Sequence, residues 1–429
     1  MHRFVIVGGG AGGLELATRL GNKYGSNGAK TKGRSRAQVT LIDRKSTHLW
    51  KPLLHEVASG SIDSYAHEIE YPAQALRNGF EFMHGAMSSM DRKTRRVSVG
   101  PLLDHDGQEV LPPRDLQYDT LVLCVGSTTN YYGVEGAQEN CFALDNVDQA
   151  VSFHTRLIAA CTRANFQIDR ESTSANRGES RVRIAIIGGG ATGVELAAEL
   201  RNTIETLQVY GLKKLDPLRD IEIVIIEAAP RILPGLSQRL SDATADLLGK
   251  RNIKLMTDHA VSSIDDRRIH LADGKTIIAD LIVWSAGIRA PAVLANLDGI
   301  ATTPHGQIVV GQTLRTEADE NVFAFGDCAA CPWPGHERGV PPRAQAAHQQ
   351  AIFLARSLEL RLNGKPLPVY KYRDFGSLVS FGHYSAVGSL MGRLIGKDMF
   401  VEGIIARYMY ASLYRMHVAC VTGISPHGI

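Results

Sequence analysis

One pattern occurs twice in this sequence, 180 residues apart, and it limits the possible fold more than any other feature. Each copy is an apolar run, a G-x-G-x-x-G turn and a stretch of helical periodicity. The glycines are Gly8, Gly10 and Gly13 in the first copy and Gly188, Gly190 and Gly193 in the second. A second apolar run follows each copy and ends in an acid. This order is typical of a dinucleotide-binding βαβ unit, so the sequence predicts an α/β fold with two Rossmann-like domains.

The residue types at each turn indicate what the two units bind. The first glycine allows the tight turn, the second leaves room for pyrophosphate, and the third lets the helix pack on the strand. The free N–H groups of the helix then face the phosphates. The acids that end the second strands, Asp43 and Glu227, would bind a ribose diol. Glu227 disfavours a 2′-phosphate and so predicts NADH, although Arg231 nearby points the other way.

Composition excludes several classes of protein. The chain has 429 residues, enough for two or three domains, and its 44% hydrophobic and 21% charged residues exclude global disorder. Six scattered cysteines do not suit a disulfide-stapled secreted domain, and a net charge of +3 does not indicate a nucleic-acid partner. We expect no signal peptide and no transmembrane helix, because no stretch of about 18 residues is apolar and uncharged.

Three later glycine-terminated runs extend the two units. The runs ending at Gly126 and Gly287 read as buried parallel strands, and we expect both glycines at the cofactor sites. Residues 316–327 end in Gly-Asp and resemble the segment of two-dinucleotide flavoproteins whose aspartate, here Asp327, holds the ribityl chain of FAD. The resemblance implies that the first unit binds FAD, without an obvious covalent attachment pattern, and that the NADH unit is inserted within it.

The predicted domains follow from this arrangement. Residues 1–150 and 291–350 would form the FAD-binding domain, residues 151–290 the NADH-binding domain, and residues 351–429 a C-terminal region facing the membrane. The polar stretches 22–36 and 167–182 read as surface insertions or linkers.

The electron acceptor cannot be a disulfide of the usual kind, because residues 48–60 contain no C-x-x-x-x-C pair. A C-x-x-C does follow Asp327, at Cys328 and Cys331. It reads as two structural thiols, with a redox or soft-metal role as the alternative. No metal site is predicted.

The helix after these cysteines carries the resemblance to one family. Ala344, Gln345 and Gln349 form A-Q-x-x-x-Q, and by spacing alone the two glutamines could be a solvated helix face. With the paired glycine turns and the segments 51–60 and 376–380, however, the whole chain resembles type II NADH dehydrogenase, the single-subunit NADH:quinone oxidoreductase. The resemblance implies two-electron transfer from NADH through FAD to ubiquinone or menaquinone.

The same resemblance implies roles for individual residues. Gln345 and Gln349 would line the quinone site, and Glu195 would reach the nicotinamide edge. The helix beginning near Pro342, with Ala344 in its first turn, would direct its dipole at the flavin, and Lys51 would add positive charge from the other side. Without a transmembrane helix we expect no proton pumping.

The C-terminal region suggests contact with a membrane. Residues 351–429 hold nine Lys or Arg against four Asp or Glu, and 399–421 is apolar with tyrosines, Arg407 and Arg415. We expect peripheral binding to anionic lipid on the cytoplasmic face of the inner membrane. A solvated basic face, a buried helix or a homodimer contact are the alternatives. Two departures from the family are Phe375, where some members have lysine, and a short tail.

Two rival functions remain at this point. A sulfide:quinone or other FAD-dependent oxidoreductase would need a reactive cysteine pair, for which Cys161 and Cys328 are the candidates. A non-enzymatic flavin-binding redox sensor would not require Glu195, Gln345 and Gln349.

Overall fold

A computed structural model describes residues 1–26, 37–170, 182–295, 297–380, 386–391, 398–402 and 404–422. Most of the predicted linker stretches 22–36 and 167–182 lie outside these residues. The helices, in chain order, are α1 (Ala11–Tyr24), α2 (Leu54–Ser59), α3 (Ser64–His67), α4 (Tyr71–Asn78), α5 (Ala137–Asn140), α6 (Val147–Arg170), α7 (Ala191–Tyr210), α8 (Gln238–Lys250), α9 (Ala344–Leu362) and α10 (Ile404–Thr422).

The first sheet has five parallel strands and joins the two ends of the predicted FAD-binding domain. Its spatial order is Val322–Ala324, Thr120–Leu123, His2–Val7, Ala37–Asp43 and Glu81–His84. The strand Val322–Ala324 comes from beyond the second glycine turn, yet it pairs with Thr120–Leu123. The prediction that the second unit is inserted within the first is therefore confirmed.

The second sheet has four parallel strands and belongs to the inserted unit. Its spatial order is Ile253–Met256, Ile221–Ile226, Val182–Ile187 and Leu281–Trp284. Isoleucine and valine dominate these strands. One face of the sheet packs on helices, including α6 and α7, and the other on the antiparallel strands of residues 261–278, which is why the runs are almost continuously apolar. Smaller antiparallel strands flank each unit, at Met87–Asp91, Arg96–Val99 and Arg114–Gln117 and at Val261–Asp265, Arg268–Leu271 and Thr276–Ile278.

Shorter strands complete the described secondary structure. They are Thr47–His48, Ile69–Glu70, Leu102–Leu103, Glu109–Leu111, Thr128–Thr129, Ile288–Arg289, Ile308–Val309 and Ala329–Ala330. Single 3₁₀ turns span Lys51–Leu53, Ala292–Leu294 and Gly326–Cys328.

The C-terminal region packs on both units, with its first strand against α7 and its helix against α1. The strands Gly376–Ser380, Ala386–Met391 and Asp398–Glu402 form an antiparallel sheet. Helix α10 follows it and lies against α1, where the Thr18 hydroxyl donates to the carbonyl of Val421 at 2.9 Å. Among the described residues no helix is long and apolar enough to cross a bilayer.

Helix α9 begins later than the sequence indicated. Its first residue is Ala344, and Arg343 is the N-cap in an extended conformation, so both prolines precede the helix instead of opening it. The expectation of a start near Pro342 was therefore off by two residues. Gln345 is therefore the second residue of the helix.

Candidate functional site

The first glycine turn is shaped for a bound group. Gly8 has φ of +105°, a conformation that side chains rarely adopt, and a Cβ on Gly13 would overlap the carbonyl oxygen of Gly8. A Cβ on Gly10 would instead meet nothing within 4 Å, so the space beside the second glycine is open. Helix α1 starts there with no side-chain cap and no acid in its first turn. These free N–H groups and the open space suit a pyrophosphate.

Asp43 lies where a ribose would be held beside this turn. Its carboxylate accepts from the Gly9 N–H at 2.6 Å and from the Lys45 N–H at 2.9 Å. Burial raises the pKa of Asp43, and these two donors oppose that shift. Each oxygen keeps further acceptor capacity for a diol.

Asp327, Ser127 and Lys51 meet at the carboxyl ends of the first sheet. The Ser127 hydroxyl donates to Asp327 Oδ2 at 2.9 Å, and Lys51 Nζ donates to the Ser127 carbonyl at 3.0 Å. Gly126, just before Ser127, has φ of +71° and open space where a Cβ would stand. The structure thus brings together three segments that lie far apart in the sequence, and their donors, acceptors and free volume fit the polar chain and ring of FAD.

Gln350 supports this corner, and the sequence reasoning missed it. Its side chain is 2% exposed, and its Oε1 accepts the Gly326 N–H at 2.8 Å. Gly326 has φ of +73° and forms the turn that presents Asp327. Because Gln350 accepts the Gly326 N–H, a side chain from α9 holds this turn. Gln350 directly follows Gln349, but its contact with Gly326, 24 residues earlier in the chain, could not be inferred from helix spacing.

The second glycine turn repeats the geometry of the first. Gly188 has φ of +108°, a Cβ on Gly193 would overlap the Gly188 carbonyl, and the space beside Gly190 is open. Glu227 ends the strand Ile221–Ile226 and accepts from the Gly189 N–H at 2.6 Å and the Ala229 N–H at 2.8 Å. Asp43 and Glu227 therefore occupy equivalent positions in the two units.

The contacts of Arg231 do not support NADPH binding, the alternative to NADH that its position in the sequence had suggested. Its guanidinium donates to the carbonyls of Leu233, Pro234 and Leu236. The side chain thus closes the loop after Glu227.

Gly287 has a packing partner of its own. It follows the strand Leu281–Trp284, and a Cβ there would overlap the ring of Tyr132. The glycine makes room for this tyrosine, and its carbonyl accepts the Asn130 N–H at 2.9 Å. Its role toward a cofactor stays a prediction.

Glu195 lies in a buried cluster between α2 and α7. Its Oε1 accepts the Ser380 N–H at 3.0 Å, and its Oε2 lies 3.7 Å from His55 Nδ1. His55 Nε2 lies 3.9 Å from a carboxylate oxygen of Glu56 and has no hydrogen-bond partner among the residues that the structure describes. Glu199 is buried one helical turn further along α7. His55 and Glu56 were not predicted, because the contact of α2 with α7 joins segments that are far apart in the sequence.

Burial governs the protonation of this cluster. It raises the pKa of Glu195 to about 8, which the Ser380 N–H opposes and the nearby carboxylates of Glu56 and Glu199 reinforce. It also raises the pKa of Glu56 to about 7 and lowers that of His55 to about 4. His55 is then neutral near pH 7, so its contacts with the two carboxyl groups are not ion pairs. Glu195 holds a proton at neutral pH.

Gln345 and Gln349 both bind the segment that leads into the C-terminal sheet. The Gln345 amide donates to the Gly376 carbonyl at 2.9 Å and accepts the Phe375 N–H at 3.1 Å. The Gln349 amide exchanges two hydrogen bonds with the main chain of Arg373, at 2.8 and 3.1 Å. Both glutamines therefore fix a loop, and neither points freely into solvent.

A cation lies near Phe375, the position at which some members of the family that the chain resembles have lysine. Arg343, the N-cap of α9, pairs with Asp374 at 3.1 Å, and Asp374 also accepts from Gln345 at 3.2 Å. Phe375 is 59% exposed. Arg343 stands inside the P-P-R-A-Q run, so its proximity to the A-Q-x-x-x-Q helix was the available signal.

The cysteines of the C-x-x-C are structural. Cys328 and Cys331 are both buried and free, and burial raises their pKa values to about 12 and about 11. A thiolate is the reactive form, so neither is suited to redox exchange at neutral pH. Cys161 belongs to the core of the second unit and Cys328 to that of the first, so they do not form a reactive pair.

Comparison with known proteins identifies the family. The model of the pyridine nucleotide-disulphide oxidoreductases matches residues 2–351. A type II NADH:quinone oxidoreductase of Haemophilus influenzae is 39% identical over 435 aligned residues, covering 100% of this chain and 96% of that protein. The chain is a type II NADH:quinone oxidoreductase family member.

More distant relatives and several solved structures are also similar to this chain. A type II NADH:quinone oxidoreductase of Staphylococcus aureus is 26% identical over 94% of each chain. The NDH2 structure from Plasmodium falciparum in complex with NADH superposes with a TM-score of 0.79 at 18% identity, covering 97% of this chain and 94% of that one. A sulfide:quinone oxidoreductase from Aquifex aeolicus reaches 0.74 at 19% identity, covering 99% and 92%. At these identities the two structures establish the fold alone.

Proposed function

We propose that this type II NADH:quinone oxidoreductase family member transfers two electrons from NADH to a quinone through noncovalently bound FAD. The observation that carries the proposal is the pair of equivalent glycine turns, each with open space at the second glycine and an acid at the next strand end. The full-length match to the relative from Haemophilus influenzae supports the assignment of the electron donor and acceptor.

The chain's own residues divide the work between the two units. Gly10 and the start of α1 would accept the FAD pyrophosphate, Asp43 its ribose, and Asp327 the chain between phosphate and ring. Gly190 and Glu227 would hold NADH in the same way. When bound, FAD supplies the redox chemistry, taking the electrons of NADH and passing them to the quinone.

Other residues would act nearer the ring. Glu195, protonated at neutral pH, would contact the nicotinamide as a hydrogen-bond donor or acceptor without repelling electron-rich groups. The N-terminus of α9 and Lys51 would stabilise negative charge on the reduced flavin from two sides. The absence of proton pumping stays a prediction.

Steady-state turnover separates this function from its rivals. Purified protein loaded with FAD should oxidise NADH in the presence of a short-chain quinone and should not oxidise sulfide. Turnover with sulfide and no NADH would favour a sulfide:quinone oxidoreductase. Tight flavin binding with no turnover of either donor would favour a redox sensor.

Glu227 is expected to set the preference for NADH over NADPH. A 2′-phosphate beside this carboxylate meets like-charge repulsion, and Arg231 is engaged with three carbonyls instead of the phosphate. Glu227→Gln should narrow the difference in kcat/KM between the cofactors by about 1–2 kcal/mol, roughly 5- to 30-fold. Equal kcat/KM values for NADH and NADPH in the wild type would contradict the assignment of Glu227 as the residue that selects NADH.

Gln345 is expected to affect quinone reduction and not flavin reduction. Its amide holds the Phe375–Gly376 main chain, so Gln345→Leu would loosen the loop on the predicted quinone side, whereas the glycine turn and Glu227 of the NADH unit make no hydrogen bond to Gln345 among the described residues. Stopped-flow should show near-normal reduction of the flavin by NADH and reoxidation by quinone slowed by about 10-fold or more, the scale of one or two lost hydrogen bonds. A matching loss in the first step would mean that Gln345 acts elsewhere.

The proposed membrane contact involves one face of α10. Leu413 and Met416 are 40% and 46% exposed, whereas Ala419 and Val421 pack inward. The side chains of 399–411, including Arg407, lie outside those that the structure describes, while Arg415 is exposed on the described part of α10. The lipid surface, the cytoplasmic face of the inner membrane and a homodimer are all proposals at this point.

A charge substitution tests the membrane contact better than deletion, because the inner face of α10 is part of the core. Leu413→Glu with Met416→Glu should reduce flotation with anionic vesicles at low salt, while short-chain quinone turnover persists. Leu76→Glu, at a residue 85% exposed on α4, is the matched control and should bind vesicles like the wild type. Equal flotation of the wild type, the double variant and the control would show that this face of α10 does not contact the membrane.

A further inference from the structure

A buried carboxylate, an imidazole and a thiol meet where three helices of the chain come together. Glu15 lies on α1, His348 on α9 and Cys420 on α10. One ligand atom from each lies within 4.8 Å of those of the other two. The residues are far apart in the sequence, so no spacing motif could have indicated this cluster.

The contacts within the cluster orient the three groups toward each other. His348 Nδ1 lies 2.7 Å from Glu15 Oε2, and the Cys420 side chain also hydrogen-bonds His348. Arg19 binds the other oxygen, Glu15 Oε1, at 2.7–2.8 Å. Oε2 is therefore the carboxylate oxygen that faces the imidazole and the thiol.

Glu15 is an unusual residue to find at this depth. Its side chain is 1% exposed, and a buried carboxylate requires positive partners. It occupies the position in the first unit that Glu195 occupies in the second, two residues after the third glycine. The Glu195 carboxyl group accepts the backbone N–H of Ser380, whereas the Glu15 carboxylate lies beside His348 and Cys420.

We propose that Glu15, His348 and Cys420 form a binding site for one divalent cation of the zinc class. Sulfur, nitrogen and oxygen ligands together are the set that Zn²⁺ prefers, and three protein ligands leave a fourth position for water. Ligand atoms of a tetrahedral zinc site lie roughly 3.3–3.8 Å apart, given bonds of about 2.0–2.3 Å. To reach that spacing, the His348 Nδ1–Glu15 Oε2 pair would open from 2.7 Å and any wider pair would close, by about 1 Å at most.

An ion can reach the cluster from outside. Cys420 lines a cavity of about 780 Å³ between α1, α9 and α10, and both His348 and Cys420 are partly exposed. Arg19, Lys23 and Arg356 also line this cavity; Arg19 is paired with Glu15, and Lys23 with Glu359 at 2.7 Å. The positive charge along the route is thus partly offset by acids.

His417, one turn before Cys420 on α10, is not a fourth ligand. Its Nε2 lies 2.9 Å from that of His48, and its ring stacks on Trp50. The fourth position therefore belongs to solvent in the cavity.

A bound ion would join the C-terminal helix to two helices of the FAD-binding domain. Apart from the ion, the Thr18–Val421 hydrogen bond is one of the described links between α1 and α10. Helix α9, which supplies His348, also supplies Gln350 to the Gly326 turn. The inference does not depend on the proposed NADH:quinone activity, and either can fail without the other.

Titration with Cd²⁺ tests the site directly. Untagged, FAD-loaded protein cleared of metal by a chelator should develop a thiolate-to-cadmium ultraviolet band that saturates at one equivalent, and Zn²⁺ should displace it. Cys420→Ser should abolish the band. Cys141→Ser, at another partly exposed free thiol, should retain it. The exposed Asp104, His105 and Asp106 group has no thiol and cannot produce the band.

Two further variants distinguish ligation from a nearby thiol alone. Glu15→Gln and His348→Gln should each weaken Cd²⁺ binding by at least about 10- to 100-fold. Zn²⁺ should raise the melting temperature of the wild type and not of Cys420→Ser, since an ion bound to the folded state stabilises it. The proposal is overturned if no thiolate band forms, or if the band or the Zn²⁺ stabilisation survives in a folded, FAD-containing Cys420→Ser protein.

Discussion

Replacing Gly10 with alanine is expected to weaken FAD binding by roughly 5- to 150-fold while leaving the protein without cofactor as stable as the wild type. The reason is that a Cβ on Gly10 meets no protein atom within 4 Å, so any overlap arises only with the bound pyrophosphate. Inserting a methyl group into a filled space costs about 1–3 kcal/mol. The measurements are the ratio of FAD to protein after purification and the melting temperature of FAD-depleted samples.

Two matched substitutions show whether this explanation is specific. Gly13→Ala should lower the free energy of unfolding by at least about 1–3 kcal/mol even without FAD, because its Cβ overlaps the Gly8 carbonyl. Gly190→Ala should raise the KM for NADH and leave the FAD content normal. If Gly10→Ala destabilises the FAD-free protein as much as Gly13→Ala does, then Gly10 serves the fold and not the cofactor.

Glu195→Gln is expected to weaken the pH dependence of stability, while the contributions of Glu56 and His55 remain. Burial raises the pKa of Glu195 to about 8, from 4.5 for the ordinary side chain. Between these pH values the folded protein holds a proton that the unfolded chain has lost, so stability falls as pH rises from about 4.5 to about 8. At about 1.36 kcal/mol per pH unit the loss is up to about 5 kcal/mol, and glutamine, which resembles the protonated acid, avoids it.

Denaturant unfolding of the FAD-loaded protein between pH 5 and pH 8 measures this effect. The variant and the wild type should be close in stability at pH 5, and the variant should be the more stable of the two at pH 8. Glu337→Gln, at an exposed loop residue, is the control and should follow the wild type across the range. A constant difference between Glu195→Gln and the wild type at every pH would show that Glu195 does not hold the proton.

The roles of the residues in the two glycine turns could be predicted because each turn is formed by residues that are close together in the sequence. A strand, a glycine turn and a helix are neighbours in sequence as well as in space, so Gly8, Gly13 and Asp43 could each be given a role before any contact was known. The insertion of the second unit was also predictable, since the Gly-Asp segment that ends at Asp327 follows that unit in the chain. The strand pairing of Val322–Ala324 with Thr120–Leu123 confirmed it.

Contacts between distant segments could not be predicted in the same way. Gln345 and Gln349 were expected to face the quinone, and the structure has them holding the main chain of 373–376, which no helix spacing could indicate. Arg231 was a signal for NADPH by position alone, and only the fold shows that three nearby carbonyls take up its guanidinium.

The sequence by itself determined the two dinucleotide units, their order and their acids, because turn geometry, strand burial and helix periodicity are set by residues close together in the chain. The tertiary structure alone decided which side chains share a low-dielectric environment. It placed His55 and Glu56 beside Glu195, and Glu15 beside His348 and Cys420. Protonation and ligand strength depend on burial and on neighbours within a few ångströms, and those neighbours come from helices that only folding brings together.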